Sequence, residues 1–451
     1  MNNVFITITM KKVRAVARHK LILVFLMLCI MVLILSPWAD VPSPVPQVAP
    51  MLEEEAQLIP PPSLPLELSQ LTVEVALDEA DFNMLAQQND TFMINHPDIT
   101  IELRRVDPTH AYSTFKHSSQ LGDSADVTLL ANEWVREFAS SGYLLPADAV
   151  FVGTALAEQF DVLAASLKWN GYMWGVPRTM DPFVWVWNSD LLQEWLGAEV
   201  ALPLTAEQWS LLATKSTEFQ GSPSWITLDP SDPLTLFAWL EYVVGERSDS
   251  IWAIDSSSWE ETPFAQAASL LVEHRTGVAY AESTVKASLL LQNRETVAAI
   301  LPYSAAASLV AEPQLLAGSK FILDHDTWQL PYVWPRGSSF TISSQTRVEE
   351  AAHLWISEIT AAPNQLQNLK ELGSLPVYRS LYDQVRELSD LLPNRTGNTF
   401  PNQAMIAISP KLSEQLEQLG LIWSKYAADE LTFTDWNVAW SALVADFQQD
   451  D

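Results

Sequence analysis

Cysteine occurs once in 451 residues, as Cys29. That count excludes a disulfide framework and any cysteine-built metal site. Glycine is scarce, 14 residues, and neither common Gly-rich phosphate loop is present. The seven histidines, His19, His96, His110, His117, His274, His325 and His353, are scattered and form no metal motif. No Gly-x-Ser-x-Gly elbow occurs. Positive charge is in deficit: 25 Lys and Arg stand against 55 Asp and Glu, a formal net charge of -30. Such a surface repels phosphate backbones and disfavours nucleic-acid partners. No cofactor is implied.

Apolar residues make up 48% of the chain, enough for a large core. Lys11, Lys12, Arg14, Arg18 and Lys20 precede an unbroken apolar run over residues 21–35. Basic then apolar reads as a signal peptide or signal anchor over residues 1–40. Fifteen apolar residues are short for a span, and extension to Trp38 makes the length marginal. A retained anchor through residues 21–38 is the expectation, with cleavage and secretion the alternative. Residues 37–65 hold nine prolines and the acidic triplet Glu53–Glu55. That composition gives an extended spacer with no core of its own, a linker over 41–66.

The folded body begins near Gln70. Leu71, Val73, Val75 and Leu77 alternate as a strand, and Ile99, Ile101 and Leu103 alternate again. Between them Phe82, Leu85, Ala86, Phe92 and Met93 fall at helical spacing until His96-Pro97. Strand, helix, strand is the unit of a parallel sheet. Ala125–Leu130 reads as a third strand, with Asn132 and Glu133 at its carboxyl end, where open α/β sheets bind ligands. For Glu133 a plain helix-start charge is an equal reading. Asp229 and Asp232 follow a later short strand, Ser224–Leu228, in the same way.

Trp169–Leu192 is the densest stretch: WNGYMWGVPRTMDPFVWVWNSDLL. Asn170-Gly171 marks a tight turn, and Phe183–Trp187 is β-branched and aromatic, hence a strand. Each tryptophan taken singly reads first as core.

Together these residues resemble a segment of the bacterial extracellular solute-binding proteins, family 1. Asn170-Gly171-Tyr172-Met173-Trp174-Gly175-Val176-Pro177 and Trp187-Asn188-Ser189-Asp190-Leu191 are similar to the family's Asp-Gly-Lys-x-Tyr-Gly-x-Pro and Tyr-Asn-Lys-Asp-Leu. Leu204–Trp209, Trp328–Ile342, Leu372–Pro376 and Leu431–Trp436 resemble further family segments in order, so the likeness spans residues 70–451.

The resemblance implies a two-lobe periplasmic-binding-protein-like α/β fold. Each lobe would be a mostly parallel sheet flanked by helices, here with an N-terminal membrane segment. Lobe 1 would be 67–180 plus 329–344, and lobe 2 would be 181–328 plus 345–451. It also implies a monomer that binds a sugar or oligosaccharide between lobes and serves separate ABC permease and ATPase chains, outside the cytoplasm and tethered to the membrane.

Sugars need acceptors and donors for hydroxyls, and flat rings for CH faces. The ligand-binding candidates are therefore Glu79, Asn132, Glu133, Tyr172, Arg178, Asp181, Asp229, Asp232, Tyr303 and Trp334. Asp181 leads, because maltodextrin-binding members place a carboxylate there. Arg178 would donate to hydroxyls or neutralise Asp181. A tethered ligand sensor and a glycan-active enzyme remain the alternatives; two carboxylates suffice for a glycosidase.

Overall fold

The computed structural model describes residues 68–151, 158–218, 221–245, 262–311, 320–324, 336–389 and 409–450. Two mixed sheets carry the body. In the first half the strands are β1 (Ser69–Val75), β2 (Ile99–Arg105), β3 (Val127–Ala131) and β4 (Leu144–Leu145). A two-residue-strand hairpin follows, β5 (Lys168–Trp169) and β6 (Tyr172–Met173), then β7 (Val176–Met180). The second half has β8 (Phe183–Asn188), β9 (Ile226–Leu228), β10 (Val278–Tyr280), β11 (Ala298–Pro302) and β12 (Phe321–Asp324). The chain then returns to the first sheet as β13 (Gly337–Ser343).

β1 lies between β2 and β3, parallel to both. Leu71, Val73 and Val75 alternate inward, and Asp78 caps the helix Glu79–Asn95 by accepting from the Asp81 N–H at 2.8 Å. β13 pairs antiparallel with β3 on one side and with β4 and β7 on the other. In the second sheet β9 is parallel to β10 and β11, while β8 runs antiparallel to β11 and β12. The expectation of mostly parallel sheets is thus corrected. The antiparallel pairs come from β8 and β13, each of which follows a strand of the other sheet in the order of described strands.

Both faces of β8 are covered, so all six residues are buried. On one face Trp185 and Trp187 stack at 5.5 Å and join Trp209, Trp225, Trp239, Trp423, Trp436 and Trp440 in one apolar core. On the other, Val184 and Val186 meet Phe160, Leu301 and Tyr382. The first sheet packs Leu85 and Phe92 together with Trp355 and Ile356 of helix Glu349–Ile359 on one face. That helix was expected with lobe 2, yet its buried side chains sit in the core of the first sheet. Phe115, Val135 and Phe138 fill the opposite face.

The expected membrane segment is also corrected. Among the described residues no helix is long and apolar enough to cross a membrane, and residues 21–38 lie outside them. Membrane contact through 21–38 and a tethered location are withdrawn with it.

Two segments link the sheets: Asp181-Pro182 between β7 and β8, and the return that reaches Arg336 before β13. They bind each other, the Asp181 N–H donating to the Arg336 carbonyl at 2.7 Å. Gly337 follows at φ +149°, and a Cβ there would lie 2.1 Å from the Thr179 carbonyl oxygen. Only glycine lets the two backbones come this close. Gly337→Ala is expected to lower the unfolding free energy by more than about 2 kcal/mol. Urea denaturation checks this, and an unchanged midpoint would contradict the packing described.

Candidate functional site

Four charged groups gather at the two links. Glu133 lies in the first turn of the helix Asn132–Ser140 that follows β3 of the first sheet. Asp232 caps the helix Pro233–Val244 that follows β9 of the second, accepting from the Leu234 N–H at 2.9 Å. Asp181 sits in one link and Arg336 in the other. Nη1 of Arg336 donates to Asp232 Oδ2 at 2.9 Å. Its guanidinium carbon lies 4.8 Å from the centre of the Phe183 ring. Asp181 accepts from the backbone N–H and the hydroxyl of Ser304, each at 2.8 Å, at the start of helix Tyr303–Ala311.

Water reaches this cluster, since the Arg336 and Asp232 side chains are 35% and 26% exposed. Protein nonetheless surrounds it closely enough for burial to dominate its acids. Burial raises the Glu133 pKa; attraction to Arg336 opposes that rise and repulsion from Asp232 adds to it. Burial likewise raises Asp181, against the Ser304 N–H and Arg336, and raises Asp232, against Arg336 and the Leu234 N–H. For Arg336, burial pulls downward, but attraction to Asp232, Glu133 and Asp181 leaves its pKa above the ordinary value. The cluster therefore offers acceptor oxygens from both halves of the molecule, with one guanidinium among them.

Of the expected site residues, Glu133, Asp181 and Asp232 come together here. Asn132 is adjacent but buried, its Oδ1 accepting from the Ser339 hydroxyl at 2.7 Å. Arg178 is elsewhere in role. It is 1% exposed and forks onto Asp81 at 2.5 and 3.0 Å, so it does not neutralise Asp181. Glu79 is exposed at the helix start, and Asp81, two residues on in the same helical turn, is the acid that meets Arg178 of β7.

Asp229 turns onto its own loop, accepting from the N–H and hydroxyl of Ser231 at 2.8 and 2.6 Å. Tyr172 is half exposed on the β5–β6 hairpin. Tyr303 donates its N–H to the Pro182 carbonyl at 3.0 Å. Its side chain lines an apolar cavity of about 680 Å³ that includes none of the four charged groups. Trp334 lies outside the described residues.

Arg336, Phe183 and Asp81 were not anticipated. The available signal for Arg336 was its place beside Gly337, at the end of a link. No group of three or more His, Cys, Asp or Glu among the described residues is placed to hold a metal ion.

Residues 87–391, two-thirds of the chain, match the family model described as bacterial extracellular solute-binding protein. The chain belongs to that family. Solved structures repeat the fold of this solute-binding protein. The GacH receptor of Streptomyces glaucescens, solved unliganded and with acarbose and an acarbose homolog, is 18% identical at a TM-score of 0.66, covering 85% of this chain and 98% of that one. The maltose-bound MalE3 of T. maritima is 18% identical at 0.66, covering 84% and 100%. Lmo0181 of Listeria monocytogenes, an ABC substrate-binding protein in complex with cycloalternan, is 13% identical at 0.66, covering 85% and 98%. No curated protein matches in sequence.

Two outcomes are expected of variants. Arg178→Met strands Asp81 and should lower the unfolding free energy by about 3 kcal/mol, measured in urea. Glu133→Gln should act oppositely and with pH. A raised carboxyl pKa means that ionised Glu133 costs stability above the unfolded value, and the cost disappears as pH falls through the raised value. The Gln variant should therefore be the more stable at neutral pH. The gap should close as the pH falls toward the ordinary range near about 4.3. A Gln variant less stable at neutral pH would show that Glu133 is held mainly by attraction.

Proposed function

We propose that this solute-binding protein takes a sugar or oligosaccharide between its two sheets and delivers it to the permease of an ABC importer. The observation that carries the reading is the Glu133–Asp232–Asp181 group, which draws acceptors from both halves to the two links. Sugar hydroxyls donate well to such oxygens, and hydrogen bonds to charged partners are worth about 1.5–3 kcal/mol each. The acarbose, maltose and cycloalternan bound by similar proteins are all of this chemistry.

We take the lobes as 67–180 plus 329–344, and 181–328 plus the later residues, with helix Glu349–Ile359 moved to the first because its core lies there. Glu133 then belongs to one lobe and Asp232 to the other. A ligand that bonds to both favours the closed arrangement over the open one, and closure is a hinge at Asp181-Pro182 and before Gly337. Tyr172, with its exposed ring, is the described candidate for stacking on a sugar face. Asn132 and Arg178 serve as supports.

Thermal or urea unfolding of the full chain with maltose, maltotriose and acarbose tests the reading. A saccharide at a hundred times its dissociation constant should add about 2.7 kcal/mol. Glu133→Gln or Asp232→Asn should weaken that saccharide about tenfold or more. Stabilisation by amino acids or peptides, with none by any saccharide, would reject it.

A further inference from the structure

The guanidinium among the three carboxylates is already engaged. Arg336 has one edge on Asp232 at 2.9 Å, one face against Phe183 at 4.8 Å, and its backbone carbonyl on the Asp181 N–H at 2.7 Å. Glu133, Asp181 and Asp232 all feel its charge, so one positive group is shared among three negative ones. Asp232 and Glu133 follow strands of different sheets, and each of the two links contributes one member of the group.

We propose that Arg336 sets the charge selectivity of the cleft: pinned to Asp232 and outnumbered by Glu133 and Asp181, it leaves the site net negative, so neutral or cationic hydroxyl-rich ligands enter and anionic ones are refused. The refusal is a property of the whole group. An incoming carboxylate or phosphate would compete with Asp232 for the guanidinium while facing two further acids at short range. A neutral sugar has no such penalty, and its hydroxyls donate to carboxylate oxygens without competing for the guanidinium. A guanidinium of this kind, if unpaired, would instead grip an oxyanion in a fork. Asp232 is therefore as much a part of the selectivity as Arg336.

The proposal rests on the saccharide reading for its substrate class, but its central claim, exclusion of anions, is testable without one. Three forms of the full chain suffice: wild type, Glu133→Gln/Asp232→Asn, and that pair with Arg336→Gln. Asparagine keeps the helix cap that Asp232 provides, and glutamine keeps the shape of Glu133. The probes are sodium sulfate against sodium chloride at equal ionic strength, then digalacturonate against maltose, read by unfolding midpoint and calorimetry.

Wild type should bind no sulfate by calorimetry, its midpoint shifting no more than that of the triple variant, since sulfate stabilises any folded protein by exclusion, and it should favour the neutral disaccharide at least a hundredfold. The double variant should bind sulfate and narrow the preference to within tenfold. Adding Arg336→Gln should abolish the sulfate response. If the double variant does not fold, Asp232→Asn alone serves, with a smaller narrowing.

Sulfate or digalacturonate binding by wild type, no gain in the double variant, or a gain that survives loss of Arg336 each overturns the proposal. If wild type binds no saccharide while the sulfate pattern holds, the saccharide reading falls and the exclusion of anions stands.

Discussion

The bond between the Asp181 N–H and the Arg336 carbonyl is the constraint on which the rest of the structure depends. It ties together the two segments by which the chain leaves and re-enters the first sheet. Each residue also has a side chain committed to the second half: Asp181 to the start of helix Tyr303–Ala311, Arg336 to the cap of helix Pro233–Val244. The close approach is possible because Gly337 has no side chain. Placement of the acids follows from this constraint. Glu133 and Asp232 sit at the first turns of helices that begin at the carboxyl ends of parallel strands, where such folds collect ligand groups.

Much of this architecture was legible in the sequence, because it is written in local rules. The alternation of Leu71, Val73 and Val75 gave β1, and Asn170-Gly171 gave a two-residue hairpin turn with both residues at positive φ. Local capping signals hold as well: Asn188 caps helix Ser189–Leu196, and Thr205 with Gln208 forms a reciprocal cap before helix Ala206–Glu218. The order of motifs brought out the two-lobe α/β plan. It did not bring out strand direction: the antiparallel pairing of β8 and β13 depends on which strand meets which in space, and no residue near Phe183 or Gly337 encodes that.

The clustering of three acids was legible in their positions, and their partnerships less so. Glu133, Asp181 and Asp232 were singled out because loops at strand ends are few, and the structure brings the three around Arg336. Arg178 was paired with the wrong acid, since sequence distance favours Asp181, four residues beyond Pro177, over Asp81, ninety-seven residues before Arg178. Arg336 was passed over because a lone arginine before a strand has no periodic or spacing signature. Its meaning comes from the carboxylates that converge on it. Of the tryptophans of the dense stretch, Trp185 and Trp187 are core, as each reads singly, whereas Trp169 and Trp174 depart from that reading and lie partly exposed on and beside the hairpin.

That tryptophan-rich core has an optical consequence. Trp185, Trp187, Trp209, Trp225 and Trp239 are almost fully buried in successive ring contacts, and Trp423, Trp436 and Trp440 form a second run in the same core. Excitation energy absorbed by one of these indoles passes readily among its neighbours. Among the described residues, ultraviolet emission is therefore weighted toward the interior of the second half. It reports the melting of that interior more faithfully than events around Glu133 and Asp232.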